Sequence, residues 1–130
     1  PGLLPPDLAA RILLLPEPTG PAIGPFEHSL DLCGDGTIRL VTLPGHAAGQ
    51  LGAFIQAVNG AQVFLCADAC WNQRLIETKN TRLGLHRYLA VNTAEQDATY
   101  AKLIKLREMM PELAIVPAHC PVACQQFERR

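Results

Sequence analysis

From Ser29 onward, apolar and polar residues are arranged as strands. Ser29-Leu-Asp-Leu-Cys33 alternates polar and apolar, Gly34-Asp35-Gly36 supplies a tight turn, and Thr37-Ile-Arg-Leu-Val-Thr-Leu43 continues as a second strand. Asp-Gly between two such runs is a strong hairpin signal. Pro44 to Gln50 interrupts as a loop, Leu51 to Val58 is apolar again, and Asn59-Gly60 is a second hairpin turn with Ala61 to Ala67 as its return strand. An antiparallel meander is therefore predicted up to Ala67.

After Asp68 the period changes from two to about 3.6. Thr93-x-x-Gln96 reads as a capping box ahead of a helix to about Met110. Ala98, Ala101 and Ile104, with Tyr100, Leu103 and Leu106, form a broad apolar stripe at helical spacing. Pro111 stops that helix, Leu113-Ala-Ile-Val116 is a short buried strand, and Pro117-Ala-His-Cys-Pro121 follows it directly. The N-terminal stretch has a different composition. Residues 1–27 hold seven of the eleven prolines. Between them Asp7 is placed to cap a two-turn helix over Leu8 to Leu15, which Pro16 would stop. The predicted division is a Pro-rich apolar connecting segment over 1–28 and a folded unit over 29–130.

Composition narrows the function classes. At 130 residues and 48% hydrophobic, the chain is long enough to bury a core and too apolar to be disordered. Eleven Lys and Arg against twelve Asp and Glu leave a net charge of −1, with no basic footprint for nucleic acid or an anionic membrane. No apolar run approaches the roughly 20 residues of a membrane span. Five cysteines, an odd number, and no basic segment followed by an apolar stretch at the start give the expectation of reduced thiols in the cytoplasm.

Candidate chemistry sits at the strand ends. His46, Asp68 and His119 each fall in a loop just past a predicted strand, beside Gly, Ala or Pro. Side chains at the ends of neighbouring strands converge on one edge of a sheet. Two imidazoles and a carboxylate suit zinc, with iron and manganese served by the same donors. The plain alternative is that histidines fall in loops by chance. The spacings Cys66-x3-Cys70 and Cys120-x3-Cys124 permit a four-thiolate zinc site, but Cys66 closes an apolar strand, where cysteine is ordinarily a small core residue.

The local sequences go further. Leu43-Pro-Gly-His-Ala-Ala-Gly-Gln50 resembles the "TPGHTPGH" loop of the metallo-β-lactamase superfamily, Phe64-Leu-Cys-Ala-Asp-Ala69 its "GDA" strand end, and Ile115-Val-Pro-Ala-His-Cys120 its terminal "PGHD" loop. The three occur in the superfamily's order and span roughly residues 29 to 121. Asp68 followed by Cys70 and Trp71 looks closest to the N-acyl homoserine lactonase-like hydrolases. The resemblance implies an α/β (α+β) fold: half of an αββα sandwich, a mostly antiparallel sheet with helices on one face. It also implies a dinuclear metal centre, in which His46 matches a ligand of the first metal, His119 a ligand of the second, and Asp68 the carboxylate bridging both. Trp71 stands where lactonase-like members often place an aromatic near the substrate. Asp68 and Trp71 are thus the candidate catalytic residues, and metal-bound hydroxide attacking an ester, lactone or related carbonyl is the implied reaction.

Departures from the pattern shape the expectation. The superfamily's His-x-His-x-Asp-His cluster normally lies upstream, and here the only upstream histidine is His28. Ala67 stands where Gly is usual, Gln50 where a second His is common, and Cys120 where Asp is common. Each metal would keep one private histidine and a shared Asp68, where a catalytic zinc takes about three protein ligands. The chain is expected to be the C-terminal half of a zinc hydrolase, weakly active or inactive alone. The alternative is a degenerate half-domain serving as a dimerisation or interaction module. A lone half exposes a sheet face, for which Leu40, Phe54, Ile55, Val63 and Leu65 are the expected residues and a second copy of the chain the expected cover.

Overall fold

The structure is a computed structural model that describes residue 5, residues 7–79 and residues 89–128. Five strands form one sheet in the order β1-β2-β3-β4-β5: β1 (Leu30–Asp31), β2 (Ile38–Thr42), β3 (Leu51–Gln56), β4 (Gln62–Ala67) and β5 (Ala114–Pro117). The first four pair antiparallel, as the two turn signals predict, and β5 pairs parallel to β4. A parallel neighbour requires a crossover. Here it carries α2 (Gln73–Glu77) and α3 (Thr93–Met109), and α4 (Pro121–Glu128) follows β5.

The sheet's two faces have different cover. Val41 and Leu43 on β2 and its extension, Phe64 and Cys66 on β4, and Ile115 on β5 are buried together under α2 and α3. From α3 come Tyr100, Leu103 and Leu106, each contributing on the order of 1.5–3 kcal/mol when fully buried. Phe54 belongs to this same face, because its register partners are Arg39 and Phe64. Its ring lies 4.3 Å from that of Phe64 and 6.0 Å from that of Phe26. This corrects the expectation that Phe54 shares the other face with Leu40, Ile55, Val63 and Leu65. On that second face Val63 and Val116 pack with Ala123 of α4, so one short helix lies opposite the other two, while Leu65 remains 40% exposed.

The N-terminal segment differs from its prediction. Its helix, α1, is a single turn, Leu8–Arg11, and Asp7 makes no capping bond, pairing instead with Arg11 at 3.3 Å. Ile12 is already extended, and Leu13 and Leu14 are 84% and 86% exposed. Further along, the segment forms the isolated bridges Gly20–Ser29 and Ile23–Phe26, and Phe26 enters the core. At the other helix the predicted capping box is replaced. Asn92, not Thr93, is the N-cap, and its side chain accepts from the Ala94 and Glu95 amides. The buried face of α3 is Gln96, Thr99, Tyr100, Leu103 and Leu106, whereas Ala98 and Ala101 face outward. Met110 packs against the core, while Met109 is half exposed.

Candidate functional site

Strand direction settles which loops meet. β2 and β4 each run antiparallel to β3, and β5 runs parallel to β4, so β2, β4 and β5 all end at the same edge of the sheet. His46 follows β2, Asp68 follows β4 and His119 follows β5. The loops after β4 and β5 are joined by the Ala118 amide donating to the Ala67 carbonyl at 3.0 Å. That bond brings His119 Nε2 to 3.0 Å from Asp68 Oδ1. The imidazole side chain is 64% exposed and the carboxylate 33%, so the pair opens to solvent on one side.

Trp71 links the remaining member. Its ring centroid lies 5.6 Å from that of His119 and 6.3 Å from that of His46, edge-on in both cases. The indole is half-buried and has both imidazoles as ring neighbours. Ala67, which turns the chain from β4 into Asp68, has φ +48°. Non-glycine residues reach that left-handed region at a cost of roughly 1 kcal/mol. The conformation gives a physical reason for glycine at this place in the sequences that the loop resembles.

The loop before His46 is held from behind by the start of α3. Gly45 has φ +122°, and a Cβ there would lie 2.2 Å from the Gln96 backbone nitrogen. The Asn92 amide donates to the Gly45 carbonyl at 2.9 Å, the Val91 amide to the His46 carbonyl at 3.2 Å, and Thr99 Oγ1 to the Pro44 carbonyl at 2.7 Å. Gln96 Nε2 donates to the Ala69 carbonyl at 2.7 Å, in the loop that carries Asp68. Sequence reasoning missed this support, because Gln96 was read as half of a capping box. The available signal was two polar residues, Gln96 and Thr99, at the spacing of the buried Tyr100 and Leu103.

The cysteines take core roles near the same edge. Cys66 and Cys70 are fully buried and Cys120 nearly so, while Cys33 and Cys124 are exposed. Burial raises the Cys66 thiol well above its ordinary range and pushes Cys70 up to about 11. Cys124 is exposed while its three would-be partners are buried, and among the described residues no three Cys, His, Asp or Glu side chains could hold a metal ion, which disfavours the four-thiolate alternative. Asp35 is the turn residue expected of it, its carboxyl lowered by the hydrogen bonds that it accepts from the Thr37 hydroxyl and amide. His86, expected from the sequence to be exposed within Leu83-Gly-Leu-His-Arg87, lies outside the described residues.

Chemically the edge offers a carboxylate in contact with one imidazole and a second imidazole beyond an indole. Such a set can exchange a proton or contribute N and O donors to a borderline metal ion. Among the described residues, no group of three His, Cys, Asp or Glu side chains is arranged to hold one. Asp68 and His119 close on each other at 3.0 Å, with Trp71 and His46 beside them.

Comparison with known proteins follows the same line. No family model matches the sequence, and no curated protein matches it significantly. Solved structures do match in fold. An N-acyl homoserine lactone hydrolase with N-hexanoyl-L-homoserine bound at its catalytic metal centre superposes with a TM-score of 0.58 at 16% identity, over 81% of this chain and 37% of that one. A variant of AiiA from B. thuringiensis with N-decanoyl-L-homoserine at its active site gives the same values. A quorum-quenching N-acyl homoserine lactone lactonase matches equally well, with 39% of its chain covered. The chain thus spans less than two-fifths of these enzymes' length, and over that span its α+β architecture is that of the metallo-β-lactamase fold.

Proposed function

We propose that this chain is the C-terminal half of a metal-dependent hydrolase acting on an ester, lactone or related carbonyl. One observation carries the reading: His119 and Asp68 in contact at 3.0 Å, on the edge where β2 also delivers His46, in a fold shared with lactonases. In this reading His46, Asp68 and His119 are the chain's contribution to a centre of two zinc ions, with iron or manganese as substitutes, and the remaining donors lie outside these 130 residues. Such a centre supplies an activated water. Asp68 would give the centre its carboxylate, and Trp71 would stand beside the substrate, where its indole N–H can donate but not shuttle a proton. The chain alone then binds metal weakly and turns over little.

The test has two arms. Calorimetric titration of the 130-residue chain with Zn2+ gives weak, incomplete binding; a tight stoichiometric pair would overturn the need for outside donors. In the polypeptide that carries this chain with its remaining donors, hydrolysis of N-hexanoyl homoserine lactone or a simple aryl ester depends on metal. Asp68→Asn and His119→Ala each lower it by about a hundredfold or more, the upper end of what even outer-shell changes do. Full activity in either variant would sink the assignment.

A second reading has its own support in the open sheet face around Leu65. There the chain is a non-catalytic module whose second face is covered by a second copy. An in-frame His-x-His-x-Asp-His segment upstream in the gene favours the enzyme, and a start codon directly before Pro1 the module.

A further inference from the structure

We propose that Gln96 is a positioning residue that fixes the His46 loop and the Asp68 loop at their mutual spacing. Its contacts span both. The backbone nitrogen of Gln96 is so close to Gly45 that no side chain fits between them, and the side-chain amide donates at 2.7 Å to the Ala69 carbonyl, one residue past Asp68. Thr99, Asn92 and Val91 on and before α3 bind only the first loop, at Pro44, Gly45 and His46. Gln96 is therefore the residue through which one rigid helix references two strand-end loops.

The energetics of the side chain separate positioning from simple packing. Gln96 is wholly buried, and its Oε1 finds no donor among the described residues. A buried carbonyl without a partner lowers stability, and the single bond made by Nε2 only offsets it. A methionine of similar shape would lose the bond and remove the orphaned oxygen together, leaving stability nearly level. What it could not do is hold Ala69, and with it Asp68 and Trp71, against the helix. For its consequence in catalysis the inference rests on the hydrolase reading; the geometry of the bracket does not.

The test compares Gln96→Met with Leu103→Ala, a core truncation on the same helix that leaves every loop contact in place. Trp71, the chain's single tryptophan, touches both imidazoles and reports the site without metal. In Gln96→Met the melting temperature stays within about 3 °C of the parent, while Trp71 emission shifts to the red and acrylamide quenches it more. The chain's residual affinity for Zn2+, followed by the same fluorescence, falls about tenfold or more. In Leu103→Ala the melting temperature falls by about 10 °C or more, and both readouts match the parent wherever the protein is folded. A Gln96→Met protein that fails to fold, or melts as low as Leu103→Ala, overturns the proposal and makes Gln96 a core strut. Native Trp71 emission and quenching in a folded Gln96→Met protein overturn it as well. If Zn2+ leaves Trp71 fluorescence unchanged in the parent, as the weak binding of the isolated chain allows, the metal-free comparison alone decides the role of Gln96, and the hydrolase reading is judged by its own test.

Discussion

At the scale of single residues, the site is governed by two kinds of local constraint, clearance and burial. Gly45 is the sharpest case of clearance. Its φ of +122° and the 2.2 Å approach to the Gln96 nitrogen leave no room for a methyl group. Gly45→Ala is expected to destabilise the protein by about 3 kcal/mol or more, from strain and overpacking together. Urea denaturation measures it, and a change below about 1 kcal/mol would mean that the loop simply moves away. Burial governs the thiols. With Cys70 pushed up to about 11 against an ordinary 9.0, the unfolded chain releases a proton near pH 9 that the folded chain retains. Stability is thus complete below pH 9 and falls as pH rises toward 11, by on the order of 2–3 kcal/mol from Cys70, with Cys66 acting in the same direction. Denaturation midpoints from pH 8 to 11 follow this decline, and Cys70→Ala makes it shallower; an unchanged slope would place the effect elsewhere.

Among secondary-structure elements, legibility in the sequence tracked how far each was decided locally. Asn59-Gly60 and Gly34-Asp35-Gly36 carry their turn chemistry in the residues themselves, and both hairpins form where those signals stand. Asp31 closes the first by accepting from the Gly34 and Gly36 amides, a bond that its spacing allows but does not announce. Pro111 ends α3 as a proline must. The misreadings have tertiary causes. Asn92 rather than Thr93 caps α3, and Gln96, the expected partner of Thr93, instead donates across the fold to the Ala69 carbonyl. Phe54 was assigned to the wrong face because register decides the side of a strand and a continuous apolar run does not reveal it. The one-turn α1 lacks a packed face, and short helices without one do not propagate. For the site, His46, Asp68 and His119 were legible as strand-end residues, whereas the helix that props them is visible only once α3 is docked.

Taken whole, the molecule has a well-sealed face and a half-sealed one. Phe26, Phe54, Phe64 and the buried side of α3 close the first. On the second, α4 reaches Val63 and Val116 but leaves Leu65 40% exposed, and Ile12 to Leu15 add an apolar strip elsewhere on the surface. Sedimentation at micromolar concentration is expected to show self-association, and Leu65→Glu to shift the protein toward monomer; a monomeric parent would remove the argument for a second copy. The parallel pairing of β4 with β5 has a different bearing, on the order of assembly. Neighbouring hairpins can zip within microseconds, but β5 must wait for the whole α2–α3 crossover to close its loop, and non-local pairings of this kind are reached slowly. Asp68 is in place early, carried by the meander, whereas His119 arrives with the last strand. During synthesis and refolding alike, the contact between Asp68 and His119 is expected to form only when the fold has finished.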